Sequence, residues 1–223
     1  MDTRLLNNCD IKLTPEARWL LLQWSQQIGL EKPLTLPLRD LRVRFEMPLL
    51  RLRQALACLT KLGMITAETY KGGQKKGRPR THFTINGKLH GLLATINVSD
   101  ETSHQMAIEH VVAASSMPPT PGHVEHPNLL SGDSRIQHML VATRWLLIVL
   151  LAHADVFGSL SHLSYSDLKR LTGLSKVRLR SQLRKLSDMG VLADYQGVRL
   201  GKALGIKRTS IIVLNLAHPA LGE

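Results

Sequence analysis

Two segments of the chain carry side chains suited to binding a polyanion, and their sequences are nearly the same. The first, RLRQALACLTKLGMI, spans 51–65, and the second, RLRSQLRKLSDMGVL, spans 178–192. In both, leucines recur at helical spacing and polar or basic residues fill other positions. Arginine can pair bidentately with guanine and glutamine with adenine, and both types also bind phosphate. Each segment therefore predicts a helix that packs on one face and contacts duplex DNA with the other.

The contacts expected from these two helices differ in kind. In the first, we expect base contacts from Arg51 and Gln54 and phosphate contacts from Arg53 and Lys61. In the second, the equivalent set is Lys176, Arg178, Ser181 and Arg184, with Arg180 on the phosphate backbone. Ser175 is included, although its simpler use is to cap the helix. An ordinary solvated face is the alternative for either helix alone, whereas two aligned helices, each followed by a basic hairpin, favour DNA binding.

A dense run of positive charge follows the first segment. Its cations, within ten residues that include no acid, are Lys71, Lys75, Lys76, Arg78 and Arg80. The run contains KKGRPR, 75–80, which resembles the AT-hook, an extended peptide whose arginine lies in the narrow minor groove. An exposed basic loop with generic phosphate contacts is the alternative. The loop after the second segment is less dense, and we expect only phosphate contacts from Arg199, Lys202, Lys207 and Arg208.

The overall composition agrees with a polyanionic partner. The chain has 223 residues and a formal net charge of +12, which suits nucleic acid or an anionic membrane surface. It has three residues each of Trp, Tyr and Phe, a poor supply for stacking successive single-stranded bases on aromatic side chains. Double-stranded DNA is therefore the expected partner.

Several other classes of protein are disfavoured. The two cysteines, Cys9 and Cys58, cannot build a disulfide framework and lack metal-ligand spacing. The N-terminus lacks a signal-peptide pattern, and the longest apolar run, WLLIVLLAHADVF, is shorter than the roughly 20 residues of a membrane-spanning helix. We expect a cytoplasmic, nucleoid-associated protein with no membrane contact.

Neither catalysis nor metal binding is indicated. One acidic stretch holds Glu109, Glu125 and four histidines, His104, His110, His123 and His126. Without nearby cysteines or firm i, i+4 spacing on a helix, they make a weak zinc site. No glycine-rich phosphate loop, nucleophile elbow or HExxH motif is present. We expect a non-enzyme without metal or cofactor.

The two segments belong to a longer internal repeat. RWLL at 18–21 recurs at 144–147, and DL at 40–41 recurs at 167–168. Helices are predicted in the first repeat from Thr14 to Gly29, from a cap at Thr35, and from Pro48 to Gly63, with strands in the alternating run after Gly63 and in THFTI. The second repeat predicts a long apolar helix over about 134–157, helices capped by Ser164 and Ser175, and strands in VLADYQ and TSIIVLN.

An acidic stretch separates the repeats. Residues 89–133 contain five acidic residues and no Lys or Arg. They also hold a proline cluster that excludes a regular helix, at Pro118, Pro119, Pro121 and Pro127. Upstream of the cluster, SHQMAIEHVVAA could form one short helix. We predict a first domain over 1–88, an acidic linker over 89–133 and a second domain over 134–223.

The pattern DLKRLTGLSKVRLRSQLRKLSDMGVL, 167–192, resembles a winged helix-turn-helix domain, the DNA-binding module of many bacterial regulators. In that family a turn glycine and an apolar residue precede a capping serine, as Gly173, Leu174 and Ser175 do here. The first repeat departs from the pattern, with Glu46 in place of the turn glycine. It also has Arg44 where the second repeat has the apolar Leu171, which the second repeat is expected to bury.

The resemblance covers segments 14–87 and 134–216. It implies a mainly α fold with small β-hairpin wings, in which two winged helix-turn-helix domains are joined by an acidic, Pro-containing linker. The function that it implies is sequence-specific binding of double-stranded DNA by a transcriptional regulator. Two alternatives stay open: a replication initiator of a plasmid or mobile element, and a protein in which one repeat serves as a protein-interaction module.

The helix predicted over 134–157 raises the question of a further partner. It is apolar on more than one face, so more than its own small domain must cover it. Packing against the other repeat and pairing in a homodimer would both satisfy this requirement. The expected partners are therefore double-stranded DNA and, as one of these two options, a second copy of the chain.

Overall fold

The structure is a computed structural model, and it describes residues 12–70, 80–87, 89, 104–113, 139–195 and 212–221. These residues divide between two units, 1–98 and 99–223. Unit 1 contains α1 (Pro15–Gln27), α2 (Leu38–Arg44), α3 (Leu49–Lys61), β1 (Ile65–Tyr70) and β2 (Arg80–Ile85). Unit 2 contains α4 (Gln105–Ala113), α5 (Val141–His153), α6 (Tyr165–Thr172), α7 (Lys176–Asp188), β3 (Leu192–Tyr195), β4 (Ile212–Leu214) and a 3-10 helix (Pro219–Leu221). A mainly α fold with two small antiparallel hairpins is thus confirmed.

Three helices and a hairpin follow one another in the same order in both units. Helices α1 and α5 have 13 residues each and begin 126 positions apart. Helices α3 and α7 also have 13 residues each and begin 127 positions apart. These offsets equal those of the repeated sequence patterns, so the internal repeat of the sequence is a repeat of structure.

The predicted ends of α1 are confirmed. The Thr14 hydroxyl accepts a hydrogen bond from the backbone N–H of Ala17 at 3.2 Å, and Pro15 is the first helical residue. Gly29, with φ of 87°, follows the helix and supplies the left-handed conformation that glycine tolerates best. The predicted cap of α2 is wrong: Pro37, rather than Thr35, precedes the first helical residue, and no side chain caps this end. Its fixed φ already suits entry into a helix.

Helices α3 and α7 bury the same four positions. In α3 the buried residues are Leu52, Ala55, Leu56 and Leu59, and in α7 they are Leu179, Gln182, Leu183 and Leu186, each 127 positions further on. Burying one leucine side chain contributes about 1.5–3 kcal/mol, so this face fixes the rotation of each helix about its axis. The residues between these positions are consequently directed away from the core.

Each hairpin begins directly after α3 or α7. Gly63 and Gly190 end the two helices with φ of 68° and 77°. In unit 1, the backbone N–H of Met64 donates to Leu59 at 3.0 Å, and β1 then pairs with β2 from Ile65↔Ile85 to Tyr70↔Arg80. In both units the second strand also forms an antiparallel bridge with the segment that precedes the second helix, Leu34↔Phe83 and Ser159↔Val213.

The long apolar helix is shorter than predicted. It was expected over 134–157, but Leu140 is extended and α5 begins at Val141. At its other end Ala154 is extended, and the Asp155 carboxylate accepts hydrogen bonds from the backbone N–H groups of Phe157 at 3.0 Å and Ser159 at 2.8 Å. This turn satisfies the backbone locally, in place of a continued helix.

Helix α5 packs against three other helices of its own unit. All residues from Val141 to Leu151 are buried, and α5 packs against α4, α6 and α7. Helix α4 confirms the short helix predicted within SHQMAIEHVVAA, and it contributes Ile108, Val111 and Val112. Sequence reasoning assigned this cover to the other repeat or to a second chain. Helix α4, which falls within the predicted linker 89–133, lies in unit 2. The proline cluster of that predicted linker lies outside the described residues.

Candidate nucleic-acid interface

The outward face of α3 is a stripe of four residues opposite the buried leucines. Leu50, Gln54, Ala57 and Lys61 form this stripe, and all four are exposed. Arg53 lies on one flank and Arg51 on the other, both exposed. Helix α3 is about 20 Å long and carries three cations and no acid, with Arg51 and Arg53 near its start and Lys61 at its end. All four sequence-predicted residues of α3 therefore share one accessible side of the helix.

Arg51 contacts two neighbours and is not simply solvated. Its Nη1 donates to Gln54 Oε1 at 3.2 Å and lies 3.9 Å from Glu16 Oε1. The Glu16 side chain is only 8% exposed, against 50% for Arg51. Glu16 was missed by sequence reasoning, because α1 and α3 must pack before the two side chains can meet. The contact with Glu16 holds the guanidinium near α1, and the bond to Gln54 uses one of the two lone pairs of Gln54 Oε1, the atom that would accept from adenine.

The outward face of α7 has the same layout with different residues. Val177, Ser181, Arg184 and Asp188 occupy the stripe, and all are exposed. Lys176 and Arg180 are exposed on the flanks, and Arg178 is half-buried. Ser175 caps the helix as expected, because its hydroxyl accepts from the backbone N–H of Arg178 at 3.4 Å. Helix α7 carries five cations and one acid, so its surface is also positive.

The turn between α6 and α7 is fixed by short-range hydrogen bonds. Gly173 ends α6 in the left-handed conformation, with φ of 69°. The Tyr165 hydroxyl donates to the backbone carbonyl of Lys176 at 2.8 Å and so joins the start of α6 to the start of α7. Ser164 and Asp167 form a reciprocal capping box at the start of α6, and the Ser164 hydrogen bonds lower the pKa of the Asp167 carboxyl. Gly173 and the bond from Tyr165 therefore hold α6 and α7 in a fixed orientation relative to each other.

The turn between α2 and α3 has the same handedness although it lacks glycine. Glu46, at the position of Gly173, adopts φ of 46°. Arg44, where α6 has a buried leucine, is exposed and donates from Nη2 to the backbone carbonyl of Gln27 at 3.0 Å and from Nε to Gln27 Oε1 at 3.2 Å. A cation at the end of α1 also suits the negative end of that helix. Exposed hydrogen bonds from Arg44 to Gln27 thus stand where the second repeat buries Leu171.

The remaining sequence-predicted residues follow α3 or α7 in the sequence, and all but Arg80 fall between the segments that form the paired strands. Those outside the described residues are Lys71, Lys75, Lys76, Arg78, Arg199, Lys202, Lys207 and Arg208. Arg80 lies in β2, with its backbone paired to Tyr70. The resemblance of KKGRPR to the AT-hook therefore stays a prediction. In the sequence, residues 75–79 of this motif fall between β1 and β2, and Arg80 is the first residue of β2.

Comparisons with protein-family models, with curated proteins and with solved structures found no match. No described helix is long and apolar enough to cross a membrane. Within the described ranges, no three or more His, Cys, Asp or Glu side chains are grouped as a metal site would require. His104, one of the histidines considered for zinc, has its Nε2 2.7 Å from the backbone carbonyl oxygen of Asp155, and His123, His126 and Glu125 lie outside those ranges.

Proposed function

We propose that the protein binds double-stranded DNA sequence-specifically and acts as a transcriptional regulator. Each unit would act as a winged helix-turn-helix domain, with α3 or α7 as its recognition helix and the hairpin as its wing. One observation carries the proposal: α3 and α7 bury the same four positions and expose basic faces, each after a tight left-handed turn and before a hairpin. The major groove of B-DNA accommodates one α-helix, and helix-turn-helix proteins insert their second helix in this way.

The two helices expose different polar groups, which supports two different half-sites. On the stripe, Gln54 corresponds to Ser181, and Ala57 corresponds to Arg184. Glutamine favours adenine, arginine favours guanine, and serine accepts either base. A regulator with these two helices is expected to recognise an asymmetric site.

The proposal is tested by selecting duplexes from a randomised library with the full chain and measuring their affinity by fluorescence anisotropy. Two double variants are compared, Arg51→Ala with Gln54→Ala and Arg178→Ala with Ser181→Ala. Each is expected to weaken binding at least tenfold and to relax preference at its own half-site, because a good base contact contributes about 1–3 kcal/mol. Lys32→Ala, which removes an exposed cation outside both helices, is the control and should change affinity little.

Salt dependence gives an independent test. Six to ten phosphate contacts predict that log affinity falls with log salt at a slope of about −0.9 per neutralised phosphate. A nearly flat dependence, or unchanged affinity in both double variants, would overturn DNA binding by these helices. If only one double variant lost affinity, the other repeat would have no part in DNA binding, as the protein-interaction alternative requires.

A further inference from the structure

Each of the two basic helices exposes one large apolar side chain at the same place. Leu50 is 65% exposed and Val177 is 78% exposed. Each is the second residue of its helix, and the two are 127 positions apart, the offset of the helices themselves. A single exposed apolar residue on a protein surface needs no explanation. Exposure of a large apolar side chain at the equivalent position of two helices calls for an explanation, because Ala57 is the only other apolar residue on either stripe.

Both side chains stand at the front of the outward stripe. Leu50 is one turn before Gln54 and two turns before Ala57, and Val177 stands in the same relation to Ser181 and Arg184. In helix-turn-helix proteins, the N-terminal residues of the recognition helix contact base edges. If α3 and α7 enter the major groove, Leu50 and Val177 therefore meet bases rather than phosphates.

The C5-methyl group of thymine is the one alkyl group on the base edges of the major groove, and apolar side chains contact it. A branched aliphatic side chain makes no hydrogen bond, so packing it against the N4 amino group of cytosine would leave a donor without its water partner. We propose that Leu50 and Val177 are specificity residues that each pack on the methyl group of one thymine. The proposal rests on the DNA binding proposed above and specifies what the helices recognise.

The consequence is a base shared by two otherwise different half-sites. Both apolar residues occupy the same position relative to the turn, so each half-site should hold a thymine at the same place relative to its helix. Base preference should then diverge one turn further along, where Gln54 and Ser181 differ.

The test uses duplexes selected by the full chain from a randomised library, in which each thymine is replaced singly by deoxyuridine. This removes one methyl group and leaves every hydrogen-bonding group of the base pair. At one thymine in each half-site, the loss is expected to be about fourfold, the affinity equivalent of burying one methyl-sized group. At the same two positions, 5-methylcytosine should bind better than cytosine.

Two variants identify the side chains. Leu50→Ala should abolish the deoxyuridine effect in one half-site and keep it in the other, and Val177→Ala should do the reverse. Because both side chains are exposed, folding is expected to survive, and circular dichroism checks this. The inference is overturned if no thymine shows the effect, or if either variant weakens thymine and deoxyuridine duplexes equally. A chain that retains no duplex at all would overturn the proposed function as well, so the two failures are distinguishable.

Discussion

Replacing Glu46 with glycine should stabilise unit 1, because the turn before α3 holds a glutamate in the left-handed conformation, at φ of 46°. That conformation costs a non-glycine residue roughly 1–2 kcal/mol. Glycine removes this cost but gives the unfolded chain more freedom, which offsets about 0.5–1 kcal/mol. We therefore expect a net gain of about 0.5–1 kcal/mol in the free energy of unfolding. In a unit of this size that corresponds to a rise of about 3–6 °C in Tm.

Urea unfolding followed by tryptophan fluorescence can measure this effect in the full chain. In a Trp145→Phe background, the remaining tryptophans are Trp19 and Trp24, both buried in unit 1. Glu46→Ala is the matched control, since it removes the same carboxylate but keeps the Cβ atom that causes the strain. The free energy of unfolding of Glu46→Gly should exceed that of Glu46→Ala by about 0.5–1 kcal/mol. If Glu46→Gly were no more stable than Glu46→Ala, the strain in this turn would be no larger than the entropy cost of glycine, and the reasoning would be refuted.

Two further predictions concern unit 2. The Thr143 hydroxyl donates to Gln182 Oε1 in the core, at positions where the first repeat has Ala17 and Ala55. Thr143→Ala and Gln182→Ala should each lower the free energy of unfolding by about 1–3 kcal/mol, and the double variant should lose less than the sum of the two. Additive losses in urea unfolding would contradict this coupling. Burial, and secondarily the charge of His162, lowers the pKa of His153, so on acidification the unfolded chain takes up this proton before the folded chain does. The stability that depends on neutral His153 is fully present above about pH 6.5 and should be lost as the pH falls through the lowered pKa. His153→Gln should reduce the stability difference between pH 7.5 and pH 5.5, and an unchanged difference would refute the assignment.

Local chemistry in the sequence predicted most of the fold. Thr14, Ser164 and Ser175 cap their helices, because a cap depends on residues three positions apart. Leucine spacing predicted the buried leucines of α3 and α7, because residues three or four positions apart lie on one face of a helix. The turn at Glu46 was harder to predict, because packing of Phe45 and Met47 on either side favours a conformation that glutamate alone avoids.

Features that depend on contacts between distant residues were missed. Glu16 meets Arg51 only once α1 packs on α3, and α4 covers α5 only once the unit is assembled. The exposed Leu50 and Val177 were missed for another reason. An apolar residue at the start of a helical pattern is normally assigned to the core, and its exposure becomes visible only when the rotation of the helix is known.

Because α3 leads directly into β1, a tilt of the helix would move the first hairpin with it. The backbone N–H of Met64 is bonded to the helix at 3.0 Å, and the Met64 carbonyl accepts from Asn86 just beyond β2, also at 3.0 Å. Strand β1 has six residues and is about 20 Å long, so a 10° tilt of α3 would displace its far end by roughly 3.5 Å. Strand β3 has four residues and would move less. On DNA bound as proposed, small adjustments of α3 in the groove would therefore be amplified into shifts of the far end of β1 along the DNA backbone, which couples base recognition to the local shape of the duplex.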